Sequence, residues 1–183
     1  WCKSLAEVVI PNSVTNIGKG TFANCSSLAD VVIPDGVTSI GNNAFMSCSS
    51  LEYISIPKSV ICLNGNPFFN WNGKLECLSP NFIYEDDVLF NKDKSKIISF
   101  RNQKLTSYVI PDSVTSIGDS AFYGCRLLSN IVIPNSVTSI GDSAFKGCKS
   151  LGSLVIPNSV TNIGKGAFKW CKSLVEIVIP NSV

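Results

Sequence analysis

The stretch Pro134-Asn135-Ser136-Val137-Thr138-Ser139-Ile140-Gly141-Asp142-Ser143-Ala144-Phe145-Lys146-Gly147-Cys148-Lys149-Ser150-Leu151-Gly152-Ser153-Leu154-Val155-Ile156 is one turn of a pattern that runs along the whole chain. Eight of the nine prolines mark it, at Pro11, Pro34, Pro57, Pro80, Pro111, Pro134, Pro157 and Pro180, every step being 23 residues except the 31 between Pro80 and Pro111. A fixed period of about 20 to 50 residues is the mark of a solenoid, because one repeat cannot bury its apolar side alone and must stack on its neighbours. Stacking in this register makes columns: Phe22, Phe45, Phe68, Phe122, Phe145 and Phe168 in one, and Cys25, Cys48, Cys125, Cys148 and Cys171 in another. Each column is a core position.

The spacing predicts how one coil is built. Leu128, Ile131 and Ile133 follow Leu-x-x-Ile-x-Ile, as do Leu5/Val8/Ile10, Leu28/Val31/Ile33 and Leu51/Ile54/Ile56. The last three residues alternate inward, outward, inward, as a short β-strand requires, and the proline that follows cannot donate to a ladder. Ser-Val-Thr-x-Ile-Gly then predicts a second short extended segment, with Gly18, Gly41, Gly118, Gly141 and Gly164 permitting a tight corner. The Ala-Phe-x-x-Cys stretch is helix-compatible and reads as a helical or 3₁₀ turn on the opposite wall. The fold class expected is therefore a repeat solenoid of leucine-rich-repeat type. Its short parallel β-strands line one wall, its short helical or 3₁₀ turns the other, and its roughly eight coils of 23 residues are interrupted once.

The interruption lies between Pro80 and Pro111. Two apolar alternating runs flank Asn91-Lys92-Asp93-Lys94, so residues 82–104 read as an irregular, β-hairpin-containing repeat. The coil before it is degenerate too. Trp71 stands where the cysteine column predicts Cys, and the register leaves open whether Lys74 or Leu75 occupies the leucine column.

Composition narrows the function classes. A chain of 183 residues with 45% apolar content is a folded protein, and a net charge of +2 gives no nucleic-acid or membrane-surface signal. No apolar run reaches the roughly 20 residues that span a bilayer. Trp1-Cys2-Lys3-Ser4-Leu5 matches Trp170-Cys171-Lys172-Ser173-Leu174 in mid-repeat, so residues 1–183 read as a single solenoid that is a fragment of a longer chain. Neither end shows a polar capping repeat, which leaves the end coils open to end-to-end self-association.

The unit Ile-Pro-x-Ser-Val-Thr-x-Ile-Gly-x-x-Ala-Phe-x-x-Cys-x-x-Leu resembles the BspA-like leucine-rich repeat of bacterial and protozoan surface proteins. The run Asp87-Val88-Leu89-Phe90-Asn91-Lys92-Asp93 resembles a variant repeat of that family, which has Asp-Gly where this chain has Asp86-Asp87. The resemblance implies a secreted or cell-surface protein that binds other proteins, host matrix components and other microbes among them. It brings no catalytic residue.

The residues themselves point the same way. The chain has no histidine, which removes Ser-His-Asp and Cys-His nucleophiles and His-containing metal sites. Glu85, Asp86 and Asp87 sit at an apparent turn and read as a solvated acidic tip, with neither carboxylate catalysis nor the oxygen-ligand spacing of a calcium loop. No cofactor, metal or enzymatic activity is expected. The column cysteines lack Cys-x-x-Cys spacing and stack pointing the same way, so they read as buried free thiols. Cys62 and Cys77, off the column, are the one pair with a prospect of bridging.

Two outward stripes are the candidate binding sites. On the strand wall the position between the inward residues is Val9, Val32, Val109, Val132, Val155 and Val178, broken by Ser55. Valine suits an open sheet, and a row of exposed valines is also what a partner covers. On the opposite wall Arg126, Lys149 and Lys172 share one column, and Lys146 and Lys169 another, with Asp119 and Asp142 nearby. Neither stripe shows the aromatic interleaving that nucleic acid requires. The function expected is a non-enzymatic protein-binding or adhesion module whose partners are extracellular or surface proteins, contacted through the strand wall and the projecting hairpin. A structural spacer presenting another domain is the alternative, and a glycan-binding or glycan-processing accessory domain the third. The pairs before the strand vary, as Ala6-Glu7, Ala29-Asp30, Glu52-Tyr53 and Val175-Glu176, which favours binding over a uniform spacer.

Overall fold

Each Leu-x-x-Ile-x-Ile segment forms a strand of three or four residues ended by its proline, because alternation gives one buried face and proline lacks the N–H that would continue the ladder. The computed structural model describes residues 2–183, so Trp1, read above as mid-repeat, lies outside the described residues. The chain divides into two units, Trp1–Tyr84 and Glu85–Val183. Each is a parallel β-solenoid with a coil of about 23 residues.

In the first unit β1 (Glu7–Val9), β3 (Asp30–Val32), β5 (Tyr53–Ile56) and β7 (Lys74–Cys77) make one wall, and β2 (Asn16–Ile17), β4 (Ser39–Gly41) and β6 (Cys62–Asn64) make a second. Glu7 pairs with Asp30 and Val9 with Val32, each 23 residues apart, in parallel register. The degenerate coil is shorter: Ile54 pairs with Leu75. Leu75 thus takes the isoleucine column, so neither Lys74 nor Leu75 fills the leucine column. Trp71 keeps the backbone position of the cysteine column, its N–H donating to the Phe68 carbonyl at 3.1 Å, and its buried indole N–H reaches the Leu51 carbonyl at 2.6 Å. The strand β8 (Phe82–Glu85) closes this stretch.

In the second unit a hairpin begins the array. β9 (Val88–Asn91) runs antiparallel to β10 (Lys96–Phe100), and β10 then pairs in parallel with β12 (Ser116–Ile117), followed by β14 (Ser139–Ile140) and β16 (Asn162–Ile163). The strand wall holds β11 (Ser107–Val109), β13 (Asn130–Val132), β15 (Ser153–Val155) and β17 (Glu176–Val178). The strand walls pair in twos, β1 with β3, β5 with β7, β11 with β13 and β15 with β17, instead of forming an unbroken ladder.

The phenylalanine column is the spine of both units. Phe22 stacks on Phe45 at 5.4 Å between ring centroids and Phe45 on Phe68 at 6.2 Å. Phe122 stacks on Phe145 at 5.0 Å and Phe145 on Phe168 at 5.6 Å. Phe100, delivered by β10, takes the column's place in the interrupted coil and stacks on Phe122 at 4.8 Å.

The expected helical or 3₁₀ wall is a correction: among the described residues no segment is helical. The N–H groups of Ser120, Phe122 and Gly124 donate across to the next coil, to the carbonyls of Asp142, Ala144 and Lys146 at 2.8–2.9 Å. Those of Tyr123 and Cys125 stay inside the coil as three-residue turns. A helix would keep every bond within its own segment. Sending alternate donors along the solenoid requires residues of left-handed conformation at four-residue spacing, here Ser120 and Gly124 with φ of 55° and 74°, and Ser143 and Gly147 with 55° and 77°. The corner glycines have a different purpose from the one expected. None of Gly18, Gly41, Gly118, Gly141 and Gly164 has positive φ. A Cβ at Gly141 would stand 2.7 Å from the Asp119 backbone nitrogen and 2.8 Å from the Gly118 carbonyl carbon, so at this position hydrogen is required for coils to approach.

Candidate functional site

The strand wall presents what its alternation dictates. Leu128, Ile131 and Ile133 are buried, and between them Val132 faces outward. All six outward valines are exposed, from 89% at Val9 to 47% at Val132. Val9 lies beside Val32, Val109 beside Val132 and Val155 beside Val178 in paired register. In the first unit this wall forms an open groove of 460 Å³ along Val32, Tyr53, Ser55 and Leu78, rimmed by Asp30 and Asp35. The Tyr53 hydroxyl donates to the Glu76 carboxylate, and this bond holds its phenol above the usual range. One valine pair in the first unit, edged by carboxylates, and two in the second give a surface suited to covering by a partner.

The basic stripe lies on the turn wall of the second unit. Arg126, Lys149, Lys169 and Lys172 are exposed and Lys146 is half-buried. The structure adds what the stripe was read as lacking. The Lys146 ammonium lies 5.1 Å from the Tyr123 ring centroid and 4.6 Å from that of Trp170, and Lys169 lies 5.2 Å from the Trp170 ring. Aromatic rings are thus interleaved with the lysines. The period carries the signal, since Tyr123, Lys146 and Lys169 form one column of unlike residues, 23 apart. Asp119 and Asp142 do not pair with these bases: their carboxylates accept the backbone N–H of Asp142 at 2.9 Å and of Lys165 at 2.6 Å in the next coil.

All eight cysteines are free, Cys62 and Cys77 included. Cys25, Cys48, Cys125 and Cys148 are buried, Cys171 is half-buried and Cys2 exposed. The thiols of Cys48, Cys148 and Cys171 donate to the carbonyls of Phe22, Phe122 and Phe145 at 3.0, 3.1 and 3.1 Å. Burial pushes Cys48 and Cys171 up to about 11, with the neighbouring column cysteine adding to each. At Cys148 the hydrogen bond with Cys125 and burial raise it further. Such thiols are fillers with a satisfied donor, and poor nucleophiles.

The hairpin does not project as expected. Val88, Leu89, Phe90, Ile97, Ile98 and Phe100 are buried, so both strands belong to the core. Only the turn is outside, held by the Asn91 side chain on Ser95 Oγ (3.0 Å) and the Lys96 N–H (2.8 Å), and by Lys94 on Glu85 at 2.6 Å. Asp86 and Asp87 both take left-handed backbone, φ 49° and 60°, as a two-residue turn demands. Burial first, and then the charges of Asp86 and Glu85, push the Tyr108 phenol up to about 12. Among the described residues no group of three or more Cys, Asp or Glu side chains is placed to hold a metal ion. Nor is any helix long and apolar enough to cross a membrane.

Comparison with known proteins sets this geometry among its relatives. The model of the BspA-type leucine-rich repeat region matches in six copies over residues 1–91 and 96–183. No curated protein matches the chain. Among solved structures, a leucine-rich cell surface protein from Faecalibacterium prausnitzii is 32% identical with a TM-score of 0.77, covering 100% of this chain and 55% of that one. A leucine-rich repeat protein from Eubacterium ventriosum is 30% identical with a TM-score of 0.79, covering 94% and 53%. The pneumococcal vaccine antigen PcpA is 26% identical with a TM-score of 0.77, covering 98% and 52%. The chain spans about half the length of each.

Proposed function

The chain belongs to the BspA-type leucine-rich repeat family, and from that premise we propose that it is a non-enzymatic, protein-binding module of a cell-surface or secreted protein, with the strand wall as its contact face. The observation that carries this reading is the row of outward valines, set in registered pairs and left exposed. Covering such pairs removes apolar area from water at roughly 25 cal/mol per Å². The carboxylates of Glu7, Asp30 and Asp35 along the first unit's grooves supply the polar rim that lends an interface selectivity. The likeness to a protein named as a cell surface protein supports the location.

The test is a panel of immobilised extracellular matrix proteins read by surface plasmon resonance. Val132→Lys with Val155→Lys, and separately Val9→Lys with Val32→Lys, should leave the circular dichroism spectrum and melting unchanged, because these side chains point away from the core. One pair or both should weaken whichever interaction the unsubstituted chain shows by more than about tenfold, since a lysine in the middle of an interface must be desolvated. Binding that survives both pairs would remove the strand wall as the contact face. No binding by the folded chain to any surface protein would favour the spacer reading.

A further inference from the structure

The turn wall of the second unit carries lysines that are held in place without being neutralised. Cation–π contact with Tyr123 and Trp170 restrains Lys146 and Lys169 while leaving their charge intact, unlike an ion pair. Among the described residues Arg126, Lys146, Lys149, Lys169 and Lys172 form no ion pair, so none of the five stripe bases is cancelled. From residue 126 to 172 there are six basic side chains and one acidic, Asp142, whose carboxylate is engaged with a backbone N–H. The result is a surface of net positive charge whose bases form no ion pair. Its period is set by the coils: rings of the adjacent phenylalanine column lie 5.0 and 5.6 Å apart, so Arg126, Lys149 and Lys172, and beside them Lys146 and Lys169, start from backbone positions repeating at that interval.

We propose that this wall is a second binding site, for a linear sulfated polysaccharide. Five of the six bases are lysines, which act as point charges along a chain instead of the bidentate fork with which arginine reads one phosphate or carboxylate. Positive charge repeating at every coil calls for an equally dense polyanion. A polysaccharide with carboxylates on alternate sugars leaves part of the grid unmatched. Trp170 is exposed and flanked by lysines, so its ring meets the C–H face of a sugar while the ammonium groups meet the sulfates beside it. Single-stranded nucleic acid is the weaker candidate, because it needs successive aromatic platforms and this wall offers one exposed indole.

The experiment titrates the whole chain with a heparin-derived oligosaccharide, with a hyaluronan oligosaccharide and with oligothymidylate of matched charge, at several salt concentrations. Heparin fragments should bind most tightly, with affinity falling steeply with salt. Lys146→Gln with Lys169→Gln should weaken binding by about tenfold and flatten the log–log salt slope by about 1 to 2, as expected when two counterion-releasing contacts are lost. Indole fluorescence should shift on binding in Trp1→Phe and not in Trp1→Phe with Trp170→Ala, since the one remaining tryptophan, Trp71, is buried in the first unit. The Val132→Lys, Val155→Lys protein should bind heparin at least as well as the unsubstituted chain, which separates this site from the strand wall. The proposal fails if the lysine pair leaves affinity unchanged, if the chain binds none of the three at low salt, or if oligothymidylate or hyaluronan equals heparin.

Discussion

Phe145 is the residue whose removal tests the stacked spine most directly. Its ring is fully buried and lies between Phe122 at 5.0 Å and Phe168 at 5.6 Å, nearly parallel to both at 16° and 5°. Phe145→Ala deletes the ring from two coil interfaces at once, and truncating a buried phenylalanine costs about 3 to 5 kcal/mol. The surroundings have little freedom to collapse into the gap, because coil spacing is fixed by inter-coil bonds such as Phe145 N–H to the Ala167 carbonyl at 2.8 Å. With a urea dependence of about 2 to 3 kcal/mol per molar, the unfolding midpoint should fall by about 1 to 2 M. The slope itself should decrease, since a solenoid's cooperativity resides in nearest-neighbour interfaces and a weakened one lets the two sides melt separately. Phe145→Leu, which keeps most of the volume, should lose only about 1 to 2 kcal/mol. A loss under about 1 kcal/mol for the alanine variant would refute the claim that this column holds the coils together.

Two further outcomes follow from the core. Ellman titration of the native chain should find Cys2 and Cys62 reactive and the buried column thiols protected, with eight groups reacting after denaturation without reductant; fewer than eight would reveal bridges. Because burial raises Cys48 and Cys171 from 9.0 to about 11, the folded state binds more protons than the unfolded state between those values. The stabilisation from keeping these thiols neutral is therefore complete below about pH 9 and lost as pH rises through about 11; alkaline melts of Cys48→Ala should show a shallower decline. Among glycines, Gly141→Ala should destabilise by about 1 to 3 kcal/mol by driving a methyl into the neighbouring backbone. Gly152→Ala, where an added Cβ meets nothing within 4 Å, should change stability by under about 0.5 kcal/mol. Equal effects at the two sites would mean that close approach is not what the repeating glycine provides.

What was legible in the sequence is what repetition amplifies. The prolines, the phenylalanine and cysteine columns and the Leu-x-x-Ile-x-Ile alternation each recur, so the coil length, the core spine and the outward valines could be read directly. Reading failed where a local propensity had to compete with the demands of stacking. Ala-Phe-x-x-Cys is compatible with a helical turn, but Asn24, Ser120 and Ser143 are held left-handed by bonds to neighbouring coils that no single repeat reveals. Reading failed too in the irregular coils, where Phe100 enters the column from a hairpin and the indole of Trp71 reaches the Leu51 carbonyl. The period passes through Trp71 but names a cysteine there, and it does not pass through Phe100.

The same geometry explains why the two walls are fit for different tasks. Inward positions are fixed by stacking: a changed Phe145 disturbs both adjacent coils, whereas a changed Val132 or Lys146 alters only the surface it presents. Outward positions on the strand wall alternate with buried ones, so they are spaced two residues apart and offer isolated side chains in pairs between β-strands. The turn wall instead brings residues three apart, such as Lys146 with Lys149 and Lys169 with Lys172, onto one face and repeats them at every coil. A wall of paired valines edged by carboxylates favours an apolar partner surface. A grid of restrained lysines around one indole favours an extended polyanion, and Asp119 and Asp142, held on backbone N–H groups, form no ion pair with those lysines. Replacing Asp142 with asparagine would keep that backbone bond while removing one of the wall's two acidic charges. It should therefore tighten heparin binding without loosening the coils, whereas a variant that weakened binding would show that Asp142 positions the site and does not merely leave it uncompensated.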